Sequence, residues 1–343
     1  MAEPTPHRRS WLQRYPLLGP VFGLAFVLAL FEGLIYWHGE SQYQVATNFL
    51  TPYTVNLILT QTVIVATGAL GMTLIIVSGG IDLSPGSVVA LTGCIAALVL
   101  RSGHSSWLAA AAAILVGAVV GAANGGVIAG FRMMPFIVTL GTMGVARGLA
   151  KLVADNQNVS FDLGPTDGIN LLMNNPDTLF GHDLPMWVPP LGVALLLVLT
   201  TLMSLVLNRS VFGRHVFALG SNEDTARLCG LRTRSLKVGV YALGGVFVGL
   251  AGVLEIARLR QGDPTVAIGL ELDIIAAVVI GGASLNGGVG SIWGAVIGAL
   301  TMTTLRAGSV QMGWPSAVQE IIIGLVIVLA VGLDKFRQHR AIG

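Results

Sequence analysis

The densest run of charged and hydrogen-bonding groups in this 343-residue chain is Gly220-Ser221-Asn222-Glu223-Asp224-Thr225-Ala226-Arg227-Leu228-Cys229-Gly230-Leu231. These residue types suit the building of a small rigid helix. Ser221 with Asp224 resembles a capping box, a motif that prefers Glu or Gln at the later position. Glu223 and Asp224 fall where a helix dipole favours anions, and Arg227 falls near the helix end. Gly230 suits the left-handed position just after it. A helix of about two turns is marginal alone in water and needs something to pack against. Capping leaves two readings open: a helix resting on its own body, or a knob that docks into a partner.

A second polar group breaks an apolar stretch at Gly79-Gly80-Ile81-Asp82-Leu83-Ser84-Pro85-Gly86-Ser87. The glycines permit unusual backbone angles. Ser84 is expected to cap the following helix and Pro85 to occupy its first position. Asp82 beside that helix start is electrostatically comfortable, and an acid at a membrane edge is also a gate candidate. A weaker copy, Gly281-Gly282-Ala283-Ser284-Leu285-Asn286-Gly287-Gly288-Val289-Gly290-Ser291, lacks the acid. Both turns follow even-numbered spans and should face one side. An internal repeat and a chance likeness of Gly-rich turns both explain the pair. Gln61, Asn124 and Asn286 can line a hydrogen-bonding path for a neutral polar solute, or simply tie helices together.

Arg147, with Lys151 one turn later on the same face, lies in an apolar run. Such cations need carboxylates, water or a lipid interface. Glu255, Glu271 and Asp273 lie at a compatible height, and one of them is expected to pair with Arg147. Arg258 and Arg260 fall on an outer loop with Asp263. They read either as solvated charges or as a contact for an acidic partner lobe.

Catalytic constellations are missing. The three lysines, Lys151, Lys237 and Lys335, follow no Gly, so no phosphate-binding loop of the G-x-x-x-x-G-K-[ST] form exists. The six histidines show no zinc-site spacing and no metal site is expected. Two cysteines, Cys94 and Cys229, imply no disulfide framework. The expectation is a protein without an enzymatic centre of its own.

The elements that hold these groups follow from composition. The chain is 54% hydrophobic and only 10% charged, against roughly 25% charged in soluble domains. Its apolar residues form runs near the length that crosses a bilayer. Ten spans are expected, near 17–37, 55–78, 86–100, 107–130, 135–154, 187–207, 236–256, 271–284, 289–306 and 317–333. The first is expected to remain as an anchor rather than a cleaved signal. The third, eighth and ninth are short or Gly-rich, so they are expected to be tilted, broken or partly spanning. Gly117, Gly121 and Gly125, with Gly244, Gly245, Gly249 and Gly252, have the spacing of close helix contacts. The fold class is therefore all-α: a polytopic transmembrane bundle of about ten helices, in one domain over 1–343.

Orientation follows from the basic residues. Arg8, Arg9 and Arg14, then Arg132, then Arg209, Arg214, Arg227, Arg232, Arg234 and Lys237, then Lys335, Arg337 and Arg340 fall between alternate spans and make up most of the 19 Lys and Arg. The opposite segment 155–186 carries aspartates and no Lys or Arg. Both termini, 1–16 and 334–343, and the loop 208–235 are expected in the cytoplasm of a bacterial cell with a multi-pass inner-membrane protein.

Several stretches resemble the permeases of monosaccharide ABC importers of the ribose type, in the branched-chain amino acid and sugar permease superfamily. They are Gly213-Arg214 with Gly220-Ser221-Asn222-Glu223, Ala226-Arg227-Leu228-Cys229-Gly230-Leu231, and Glu271-Leu272-Asp273-Ile274-Ile275-Ala276-Ala277 through Gly281-Gly282. Gly79-Gly80-Ile81-Asp82-Leu83-Ser84 is similar as well, with Pro85 where a small aliphatic residue is more usual. Asn124-Gly125, Pro135 to Met143 and Arg147-Gly148 also match. The resemblance covers most of 55–333 and implies a type II importer fold. It also implies that the short helix is a coupling helix touching an ATPase subunit through Ser221, Asn222, Glu223, Ala226, Arg227 and Gly230. From the chemistry of the residues, Asp82, Ser84, Asn124, Asn286 and Gln61 are the candidates for a gate or pathway, Arg147 with Glu255, Glu271 or Asp273 for a structural ion pair, and Arg258 and Arg260 for a solute-binding-protein contact. The implied partners are two ABC ATPase subunits that bind ATP and Mg, a periplasmic or extracellular binding protein, membrane lipid and a second permease copy, identical or similar. No nucleic acid is implied. The implied cargo is a small sugar. Branched-chain amino acids or nucleosides are the alternative within the fold, and an ion-coupled secondary transporter is the alternative outside it.

Overall fold

The computed structural model describes residues 17–38, 48–164, 167–174, 178–179, 182–183 and 188–342. The expected amino-terminal cytoplasmic segment 1–16 lies outside them. The helices are α1 Leu18–His38, α2 Pro52–Val77, α3 Pro85–Arg101, α4 Ser106–Phe131, α5 Pro135–Val153, α6 Gly168–Met173, α7 Leu191–Arg209, α8 Val211–Ser221, α9 Glu223–Leu228, α10 Thr233–Leu259, α11 Leu270–Ile280, α12 Ile292–Gln311 and α13 Ser316–Ile342. Strand pairs are tiny. β1 Val159–Ser160 pairs antiparallel with β4 Gln261–Gly262, and β2 Thr178–Leu179 with β3 His182–Asp183.

Local chemistry sets many of the starts. Pro52, Pro85 and Pro135 stand in the first turn of α2, α3 and α5, where a missing N–H costs nothing. Thr51 accepts from the Thr54 amide, Ser105 from Leu108 and Ser291 from Gly294, satisfying amides that the helix leaves open.

Each of the ten expected spans coincides with a helix. Six helices among the described residues are long and apolar enough to cross a membrane: those at Leu18–Trp37, Pro52–Val77, Ser106–Phe131, Pro135–Val153, Leu191–Arg209 and Thr233–Leu259. The eighth does not cross by itself. With 11 residues, α11 is about 16 Å long at ~1.5 Å per residue, roughly half the hydrocarbon thickness of about 30 Å.

The centre of the bundle is α2 and α10, surrounded by α3, α4, α11 and α12. Glycine makes the approach of α4 and α10 possible. A Cβ on Gly117 would clash with the Gly245 carbonyl, and one on Gly121 with the Tyr241 carbonyl; on Gly125 it would come within 2.8 Å of the Val238 Cα. In lipid, where apolar side chains gain nothing by leaving the solvent, this backbone-level packing supplies the association. A hydroxyl pair, Thr62 with Thr303 at 2.6 Å, ties α2 to α12. The first span is part of the bundle: Phe31 of α1 is buried among Phe49, Trp314 and the bare face of Gly308.

Candidate functional site

Two helices, rather than one, follow α7. Ser210 accepts from the Gly213 amide at 3.0 Å and starts α8. Gly213 is required there because a Cβ would clash with the Leu207 carbonyl. Ser221 is the last residue of α8, so it is not the cap of the short helix. Asn222 takes that role in an extended conformation (φ −163°, ψ 106°), its Oδ1 accepting from the Thr225 amide at 2.8 Å. Ser and Asn are comparably good caps, and the backbone break at 222 decides between them. The helix α9 closes as the sequence indicates. Gly230 is left-handed (φ 84°), its amide donates to Arg227 O at 3.0 Å, and the Leu231 amide donates to Ala226 O at 3.1 Å. This is a complete Schellman ending.

The faces of α9 differ from the expected contact set. Ala226 is buried against the bundle at 4% exposure, which removes it from any partner surface. Leu228, two residues on, is 89% exposed. Its neighbours Asp224, Thr225, Arg227 and Cys229 are exposed too. Glu223 faces the body: Lys237 Nζ lies 2.6 Å from its Oε2 and Arg227 Nη2 3.5 Å from its Oε1. So Glu223 pins α9 onto α10. The outward position of Leu228 is not legible in the sequence, because only the burial of Ala226 fixes which side of so short a helix looks outward.

The body end of α8 meets both Gly-Gly turns. A Cβ on Gly220 would clash with the Val77 carbonyl and come within 2.7 Å of the Gly288 amide. That amide donates to Val77 O at 2.9 Å. The two turns therefore lie on one side and touch each other. Only Ser221 and the cap Asn222 separate Gly220 from the first residue of α9.

Asp82, Ser84 and Asn124 converge as a buried network. Asp82 Oδ1 accepts from the Ser84 amide at 2.8 Å and from its hydroxyl at 2.7 Å. Ser84 precedes α3 but caps nothing with its side chain: its backbone is already helical (φ −85°, ψ −13°) rather than in the extended conformation of a capping residue. Asn124 Nδ2 donates to Ser84 Oγ at 3.3 Å, and Thr142 Oγ1 donates to Asn124 Oδ1 at 2.5 Å. The Leu83 amide donates to Thr139 Oγ1 at 3.1 Å. These bonds join the 79–84 turn to α4 and α5. Gln61 lies apart, about 24 Å along α2 from its Val77 end at ~1.5 Å per residue. Asn286 belongs to the second turn, where its amide donates to Ser284 Oγ at 3.3 Å.

The expected pairing of Arg147 with a carboxylate is corrected. Arg147 Nη1 donates to the carbonyls of Pro264 and Val266 at 2.9 and 2.7 Å. The non-helical segment before α11, with Ala267 and Gly269 left-handed (φ 60° and 83°), turns its carbonyls out to receive it. Bare backbone at membrane depth persists only where protein or a water-lined cavity satisfies it. Asp273 instead binds Arg306 of α12 at 2.6 Å, and Glu255 binds Arg258 at 2.6 Å. Arg258 is thus turned onto its own helix, leaving Arg260 exposed. Arg306 was a visible signal, an arginine inside an apolar run, but its partner lies on another helix.

A family model for the permease component of branched-chain amino acid transport systems matches residues 54–331. The chain is 40% identical over 292 residues to the ribose import permease protein RbsC of Escherichia coli (strain K12), covering 85% of this chain and 88% of that one. It is 36% identical over 318 residues to RbsC of Bacillus subtilis (strain 168), covering 93% and 92%. To the L-arabinose ABC transporter permease protein AraH of Azospirillum brasilense it is 33% identical over 299 residues, covering 85% and 83%.

Proposed function

This chain belongs to the ABC-importer permease family of branched-chain amino acid and sugar transport, and on that premise we propose that it is the membrane subunit of an ATP-driven importer for a small neutral sugar. Relatives named for ribose and arabinose support the cargo. The observation that carries the mechanism is α9: capped at both ends, pinned to α10 by Glu223 and Lys237, and presenting Leu228 to the outside.

In this reading the chain supplies no chemistry of bond breaking. ATP and Mg are bound by a partner ATPase, whose surface receives α9 around Leu228, Asp224 and Arg227. Closure of two such ATPases moves α9. Through α8 the movement reaches the paired turns at 79–84 and 281–291. The buried Asp82–Ser84–Asn124–Thr142 network has two arrangements, one for each opening of the bundle. A second permease copy and an external binding protein complete the importer, with the segment 208–235 on the cytoplasmic side and Arg260 on the opposite one.

Transport assays in proteoliposomes test this. Uptake of a labelled pentose should require the ATPase, the binding protein and ATP together. Uptake driven by an ion gradient without the ATPase would replace the reading with a secondary carrier. Saturable uptake of a zwitterion and no sugar would move the cargo to amino acids.

A further inference from the structure

A cavity of about 720 Å³ opens between α9, the α4–α5 turn and the first turns of α10. Its walls are of two kinds. Arg132, Arg232 and Arg234 form a cationic side with Arg227 and Lys237, and Met133 and Met134 form an apolar side. The lining holds one acid, Glu223, and that carboxylate is taken by Lys237 and Arg227. Among the described residues, Arg132, Arg232 and Arg234 have no carboxylate within ion-pair distance.

Three unpaired guanidinium groups around one cavity repel each other and favour an anion. Guanidinium forks match phosphate oxygens in geometry as well as charge. The apolar lip says where the phosphate comes from. Phe131 is 77% exposed and Met134 71%, and Phe136 and Ile137 continue an exposed apolar face up α5. An acyl chain running along that face would bring its headgroup to the cationic wall. Basic pockets at the inner surface of membrane proteins hold anionic headgroups in this way.

We propose that this cavity is a binding site for the phosphate headgroup of an anionic phospholipid, seated at the base of α9. The site does not depend on the sugar reading. It makes the coupling helix sensitive to membrane composition.

Native mass spectrometry of the full chain tests it, titrating phosphatidylglycerol against phosphatidylcholine. The triple variant R132Q/R232Q/R234Q should lose phosphatidylglycerol affinity by about a hundredfold, at roughly 1 kcal/mol per basic residue. The control R209Q/R214Q, two exposed charges outside the cavity, should leave the affinity nearly unchanged. The three arginines are exposed, so the fold should survive, and single variants with unchanged melting temperature should each lose about fivefold. Equal losses in triple variant and control overturn the proposal, as does undiminished binding in the triple variant. Millimolar inorganic phosphate that displaces the lipid from the wild type overturns the lipid as occupant. Loss of ATPase association with intact lipid binding assigns the arginines to a protein partner and overturns it too.

Discussion

Leu228→Ala separates docking from folding. The side chain is 89% exposed, so its loss costs the bundle little; exposed substitutions usually fall within about 0.5 kcal/mol. In a docked complex the same side chain would be buried. Truncating Leu to Ala removes three carbons, worth about 2 kcal/mol at ~0.8 kcal/mol per methylene. That corresponds to roughly a 30-fold loss of affinity for the ATPase. The measurement is titration of the purified ATPase subunit against the permease in nanodiscs, beside a thermal melt of the permease alone. The expected pair is weakened association with an unshifted melt. An unchanged affinity would mean that Leu228 is no anchor and that α9 docks through another face or not at all.

Arg306→Met should destabilise the bundle by about 3–5 kcal/mol by stranding the buried Asp273 carboxylate, whereas the double variant Arg306→Met with Asp273→Asn should recover much of this; additive losses in a double-mutant cycle would refute the pair. Gly121→Val should abolish recovery of folded protein because its side chain meets the Tyr241 carbonyl, while Gly126→Val, with open space around it, should melt like the wild type; similar melts for both would refute the glycine contact. Asn124→Leu removes the amide that links Ser84 to Thr142 while each hydroxyl keeps another acceptor, Asp82 and the Val138 carbonyl, so it should lower stability by only about 1–2 kcal/mol, with pentose uptake lost in proteoliposomes; full uptake would remove the network from the mechanism.

Much of this was readable without coordinates where physics is local or periodic. Apolar runs placed the helices, and the spacing of Gly117, Gly121 and Gly125 announced a close helix contact before its partner was known. Gly230 announced the end of α9. What depended on three-dimensional neighbours was not readable. Ser221 and Asn222 are both strong caps, and only the backbone break at 222 chooses. The helix α8 was missed because Val211–Ser221 carries no strong cap signal beyond Ser210 and sits among basic residues that read as loop. Arg147 was assigned a carboxylate because carbonyls turned out by a non-helical segment leave no trace in residue type. Asp273 found Arg306, and Glu255 found Arg258, for the same reason: charge says that a partner is needed, not which one.

The docking of α9 can be measured with the chain's own thiols. Cys94 is buried and Cys229, beside Leu228, is exposed, so a maleimide reports on the tip of α9 without any engineered residue. Adding the ATPase subunit to the membrane-reconstituted permease should slow labelling of Cys229 sharply, and Leu228→Ala should restore the rate. Labelling that proceeds at the same rate with and without a bound ATPase would contradict the assignment of α9 as the coupling element.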